Sequence, residues 1–336
     1  MTILSSEIKC YKSETASSDD TNGGRMSTNE VISGVVNNVW PHVLKAERNA
    51  GSTLYRKLFF KVANDNDEKL IATSIFDDIP TPAGDYIVFW EGTQTDTQAT
   101  AKNHSGRVYG AANLHSDVSS GSSTIVVDVE DSSITGIFQD GDKIRLTDMD
   151  DPNAATGNEE ELTISGAPSV SGTQVTITVA ETIGNDYTVA GGGRVMSLLQ
   201  VGDIEATSDN WAESSTSGTY DEGSYPVIPD AIGTIEQSVT LTFTDATHFT
   251  ATSNVSGVTL GSGDTSTDFS PNNPDFNKPY FTLEAAGWDG TWAQNDTVTF
   301  DTHPAAEAVW FKRVVPAGTA SMANNKNVSC VSGESA

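Results

Sequence analysis

The residues able to do chemistry are scattered. The five histidines, His42, His104, His115, His248 and His303, have no spacing that would bring two or three of them onto one metal ion. Neither Cys10 nor Cys330 has a histidine near it in sequence, and the chain contains no G-x-S-x-G elbow, phosphate-binding loop or dinucleotide fingerprint. With 46 Asp and Glu among 336 residues, a carboxylate pair picked out by eye carries no information. One acidic stretch is denser than the rest: Asp148, Asp150, Asp151 and Asn153, followed by Gly157, Asn158, Glu159 and Glu160. Carboxylate and amide oxygens gathered on a turn are what Ca²⁺ requires, but the order lacks the Gly that an EF-hand loop needs at its sixth position. The stretch therefore reads as a solvated acidic loop, with a structural calcium site as the alternative. No catalytic residue, cofactor or metal is expected, and the sequence predicts a protein that is not an enzyme.

The elements that would position such residues are strands. From Ser119 to Val195, four runs mix β-branched and polar residues at a period near two: Thr124–Val129, Lys143–Thr147, Glu161–Ser165 and Gln174–Val179. Turn residues such as Gly141-Asp142 and Ser171-Gly172 punctuate them. Further strands are expected at Leu54–Val62, Tyr86–Glu91, Val239–Phe243, Phe249–Ser253, Tyr280–Glu284, Thr297–Phe300 and Ala308–Val315. Ser13–Asn22 reads as a flexible polar tract, and Ser27 with Glu30 as a capping box opening a short helix or turn. The run VISGVVNNVWPHV is broken by Gly34 and stopped before Pro41, which excludes a long helix. Ser208–Tyr225 and Ser262–Lys278 read as long loops. The fold class is mainly β and multi-domain, with antiparallel sandwich or barrel-like modules and little helix.

The order TIVVDV, F-x-x-GDKIRL, EEELTISG, TQVTITV and then a late Tyr and Gly is similar to β modules of virion proteins from tailed bacteriophages. NGGRMS (22–27), AERNAGSTLYRK (46–57), GTQTDTQ (92–98) and WFKRVVPAGTAS (310–321) resemble segments of structural proteins from phage head and tail gene clusters. The resemblance covers about a third of the chain and includes no catalytic motif. It implies a virion component, assembled in the host cytoplasm, whose partners are copies of itself and other virion proteins of the neck, connector, capsid or tail. The reading taken from it is a neck or collar protein forming a homo-oligomeric ring or spike. The alternatives are a capsid decoration protein, a tail or baseplate component, or an adhesin that binds a host-surface glycan through Trp211, Tyr220, Tyr225, Trp288 and Trp292. Packing or subunit contact is the competing use of those aromatics.

Charge divides the chain. The formal net charge is −28, which argues against nucleic acid as a direct partner, because phosphate binding needs clustered Lys and Arg. Residues 1–61 hold eight Lys or Arg against six acids, and residues 301–336 hold three of each, so residues 62–300 carry −30. No apolar run reaches membrane-spanning length, and no basic-then-apolar leader opens the sequence, so no membrane partner is expected. The two cysteines are expected to stay separate thiols. The division suggests a discontinuous base, 1–115 plus 301–336, with one β module at 116–200 and a second, loop-rich one at 201–300. Basic and aromatic residues of the base are the expected subunit contacts: Arg48, Arg56, Lys57, Trp310, Lys312 and Arg313.

Overall fold

The computed structural model describes residues 2–335; Met1 and Ala336, the outer limits of the expected base, lie outside the described residues. The chain is mainly β, with antiparallel pairing throughout and only short helices, the longest α-helix being Lys45–Ala50. Four larger sheets and three two-stranded ribbons make up the described strands.

The first sheet is assembled from distant parts of the sequence. Its order is Gly23–Glu30, Ile8–Thr15, Ser52–Val62, Ala306–Val315, Tyr86–Glu91. Ala306–Val315 runs in unbroken register along Ser52–Val62, from Ala306 opposite Lys61 to Val315 opposite Ser52, and pairs on its other side with Tyr86–Glu91. Both faces of this sheet are covered, so its central strands do not alternate between apolar and polar. Leu58, Phe60, Val309, Phe311, Ile87 and Phe89 form the core on one side. On the other, Phe59, Tyr11 and Ala308 pack together, and Trp310 joins Val88 and Trp90 in a second cluster. Trp310 fits because two glycines make room for it. A side chain at Gly23 would come within 2.9 Å of its ring and one at Gly92 within 2.8 Å, and Gly23 also has φ +110, which favours glycine.

A three-stranded sheet adjoins the first, with Leu70–Ile79 between Leu199–Ile204 and Val328–Ser335. The chain thus returns to this region between the two modules, at 199–204, as well as after them.

The seven-stranded sheet uses only strands from Ala111–Leu114 to Arg194–Ser197. Here the period-two pattern is decisive. In Lys143–Thr147, Ile144 and Leu146 are buried between half-exposed Lys143 and Arg145, and in Gln174–Thr178 Val175 and Ile177 are buried in the same way. The resulting core is aliphatic, built from Ile125, Val127, Ile144, Leu146, Ile177 and Val195, each fully excluded from water. At about 1.5–3 kcal/mol for each such side chain, this burial is the main force closing the module.

The last sheet has the order Thr207–Glu213, Thr297–His303, Gln237–Phe243, His248–Ser253, Gly261–Asp264. Its core is aromatic: Phe243 stacks on Trp292 at 4.2 Å, and Phe281 meets Phe300 edge-on at 5.0 Å.

Three local expectations differ from the structure. Of the tract Ser13–Asn22 only its first three residues are strand, the rest forming the turn between Ile8–Thr15 and Gly23–Glu30, and Ser27 and Glu30 lie in that second strand instead of opening a short helix or turn; the pairing of the two strands shifts register twice. Ser27 spends its hydroxyl on the Lys12 carbonyl across the sheet and caps no helix. Ser208–Tyr225 is not one loop, since Thr207–Glu213 and Gly218–Tyr220 are strands.

Candidate functional site

Three of the expected contact residues are interior. Lys57 is buried, and its Nζ lies 2.7 Å from Asp96 Oδ1 while donating to the Gly24 carbonyl at 2.8 Å. Trp310 is fully buried and donates its indole N–H to Asp96 Oδ2 at 2.8 Å, so one carboxylate holds both side chains. Arg313 donates to Asp85 Oδ2 at 2.5 Å inside the fold, where Asn325 also donates to Asp85. These three residues are corrected from subunit contacts to internal supports, because their polar groups are already satisfied within one chain and water does not reach them. The sequence pattern misleads here: a lysine or tryptophan in a strand covered on both faces looks the same as one on an interface.

Arg56 is half-buried and satisfied by carbonyls. Its guanidinium donates to Val39 O at 3.1 Å and Ser17 O at 2.7 Å and lies over the Trp40 ring, 5.8 Å from its centroid. No carboxylate pairs with it among the described residues, and burial lowers its pKa from the ordinary value. Arg48 donates to the Val43 carbonyl at 3.1 Å. Lys312, opposite Tyr55 and Val88, remains half-exposed.

The other chemistry-bearing groups do not converge. His115 pairs with Asp128, His248 with Asp245, and His303 with Glu236 and Asp209, each as a separate surface arrangement. His104 stacks on Trp90 at 4.6 Å. In the acidic loop, Asp148 accepts from the Asn158 N–H at 2.6 Å and Asp151 from the Asn153 N–H at 3.0 Å, so two of the calcium-candidate groups brace the loop itself. Among the described residues no group of three or more His, Cys, Asp or Glu is arranged to hold a metal ion. Cys10 and Cys330 are free thiols on different sheets, both pushed up to about 12, chiefly by burial. Tyr220 and Trp292 are buried and Trp211 and Trp288 half-buried in the aromatic core, where they pack on one another and not in a groove.

What the sequence reading passed over is the segment 31–44. Its apolar residues come as pairs every fourth residue: Val31-Ile32, Val35-Val36, Val39-Trp40 and Val43-Leu44. That repeat was the available signal. Gly34 and Pro41 prevent it from becoming a helix, and it forms an irregular arm. Val31, Val39 and Trp40 pack against the Leu58–Phe60–Phe311 side of the first sheet. Arg56 ties Val39 down, and the Val31 N–H donates to the Cys10 carbonyl at 2.7 Å. The remaining side chains face water: Ile32 is 53% exposed, Val35 55%, Val36 77% and Leu44 63%. Between arm and sheet runs a groove of about 400 Å³, lined by Lys12, Val39, Pro41, His42, Arg56 and Leu58 among others, and by no carboxylate. Apolar groups held out in water beside unpaired cations suit docking, not turnover.

No protein-family model matches the chain, and no curated protein sequence matches it.

Proposed function

We infer that the chain is a non-enzymatic structural component of a tailed-phage virion, assembling as a homo-oligomeric ring or spike at the neck, where head meets tail. The observation that carries the reading is the base sheet, in which Ala306–Val315 closes between strands from residues 52–62 and 86–91. Such a closure makes a rigid platform from which the chain departs to build two β modules. The acidic middle of the chain, −30 over residues 62–300, keeps those modules soluble and apart when copies are crowded together. The separation of the histidines and the inward packing of the distal aromatics support a scaffold over a catalyst or a glycan reader. The resemblance of the β modules and of the terminal segments to phage structural proteins supplies the virion setting.

Quantitative mass spectrometry of purified particles tests this. A ring at the neck gives roughly a dozen copies per particle, as cyclic closure requires, and a capsid decoration protein gives several hundred, as icosahedral closure requires. Absence of the chain from washed particles rejects the virion reading.

A further inference from the structure

We propose that the arm 31–44, with the basic groove beneath it, is the surface by which one copy of this chain docks on a second copy. The proposal deepens the homo-oligomer reading above by naming its contact, and it replaces the interior residues Lys57, Trp310 and Arg313 with groups that are exposed.

The arm carries two sets of apolar residues with opposite fates. Val31, Val39 and Trp40 are spent on anchoring it to the sheet, and Arg56 fixes it further by donating to the Val39 carbonyl and covering Trp40. An arm anchored in this way is rigid enough to present its outer residues, which lowers the entropy lost on docking. Ile32, Val35, Val36 and Leu44 are then held in water within a stretch of thirteen residues, which Lys45 and Arg48 follow directly.

Charge identifies the occupant. Apart from the buried Lys57 and Lys61, residues 31–61 contain Lys45, Arg48 and Arg56 against the single acid Glu47, so the part of this segment that water reaches is +2 in a chain of −28. Lys12, Lys45, Arg48 and Arg56 have no carboxylate partner in the described structure, whereas other base cations, such as Lys9 with Glu30 and Lys102 with Asp20, are paired. The rest of the chain carries −30, so a neighbouring copy offers the acidic surface that these cations fit. Acidic surface set against acidic surface repels. Head-to-tail docking of arm on acidic surface is heterologous, and heterologous contacts close into rings when the rotation permits.

Sedimentation velocity of the full chain tests the proposal in solution, without virions. The parent protein should self-associate, and the association should weaken as NaCl is raised, because the docking charges are exposed to screening. Val36→Asp with Leu44→Asp should weaken it tenfold or more, about 1.4 kcal/mol, with an unchanged circular dichroism spectrum and melting temperature. Lys45→Glu, at an exposed site, should weaken it too and guards against a folding defect in the double variant. Val170→Asp, at an equally exposed valine on the seven-stranded sheet, should leave association intact. A parent chain that stays monomeric at about 100 µM, above the range of a standard-size interface, overturns the proposal, as does association of the arm variants equal to the parent's. A monomer in solution that is nonetheless found at a dozen copies per virion would sink self-docking through the arm while leaving the virion reading in place.

Discussion

The base and the seven-stranded module solve the same problem, closing an antiparallel sheet over a core, with opposite chemistry. In the module the core is mainly aliphatic; its few buried polar groups are satisfied locally, Tyr187 by Glu160 at 3.0 Å and the hydroxyls of Thr147 and Ser197 by the Asn158 and Gly110 carbonyls. The base and its adjoining three-stranded sheet bury Lys57, Lys61, Asp77, Asp78, Asp85 and Arg313. Lys61 has no buried carboxylate against it: its Nζ donates to the Ile232 carbonyl at 2.6 Å and lies 4.5 Å from the Phe276 ring centroid. Burial brings it down to about 8 despite the raising influence of Asp230. Asp77 is brought up to about 6 by the same desolvation, although Ser329 donates to it at 2.6 Å. An aliphatic core is insensitive to pH and tolerant of exchange among similar residues. A core with buried charges has a narrower set of conditions and a stricter geometry, which suits a platform whose strands come from three distant parts of the chain.

The largest test of this contrast lies where the two regions meet. Arg194, on the last strand of the module, donates from Nε to the Asp78 carbonyl at 2.5 Å and from Nη2 to Asp78 Oδ2 at 2.6 Å. Both residues are buried. Arg194→Ala leaves the Asp78 carboxylate with only the Arg145 Nε, 3.9 Å away, and should cost about 3 kcal/mol in urea unfolding, while Arg194→Met with Asp78→Leu should recover most of it. A cost for Arg194→Ala below about 1 kcal/mol would show that the pair is not what joins module to base.

A smaller effect, with a definite sign, belongs to Glu307. It stands opposite Phe60, and burial together with the nearby Glu91 carboxylate raises it from 4.5 to about 8. Between those values the folded chain keeps a proton that the unfolded chain has lost, so stability falls as pH rises from 4.5 to 8. Glu307→Gln should therefore stabilise the protein at pH 9 by on the order of 2 kcal/mol, allowing for partial solvation, and by nothing measurable at pH 4. Equal effects at both pH values would mean that packing, not charge, sets the difference. Lys61 has the reverse slope, its buried charge weighing against folding until pH climbs from about 8 towards 10.5.

The smallest effect comes from the module. Ile177→Val, in the aliphatic core, should cost about 1 kcal/mol and the same amount at pH 4 and pH 9. A cost that varies with pH there would erase the contrast.

Legibility in the sequence follows the same division. The strand Lys143–Thr147 is where its alternation placed it, and Tyr86–Glu91 and Gln174–Thr178 agree to within a residue, because a sheet with one wet face or a sharp apolar run writes its period into the sequence. Ala308–Val315 was readable as a partner of the N-terminal strands from its aromatic and basic character, and it pairs with Ser52–Val62. Leu70–Ile79 was missed: carboxylates are rarely buried, yet Asp77 and Asp78 in its second half both are. The same substitution of burial for exposure misassigned Lys57, Trp310 and Arg313, since residue type does not reveal whether the second face of a strand is covered. The arm was visible as composition but not as a surface, because its fourfold repeat has the spacing of a helix face while Gly34 and Pro41 break the helix.

The place of Ala306–Val315 between Ser52–Val62 and Tyr86–Glu91 also fixes an order of events during synthesis. A ribosome makes both flanking strands before the modules and the strand that joins them only after every residue of the two modules. Until then the two flanking edges have no partner, and the Asp96 carboxylate awaits the indole of Trp310. The modules, each drawing its main sheet from one continuous stretch of chain, face no such delay. The base sheet is thus completed after the modules.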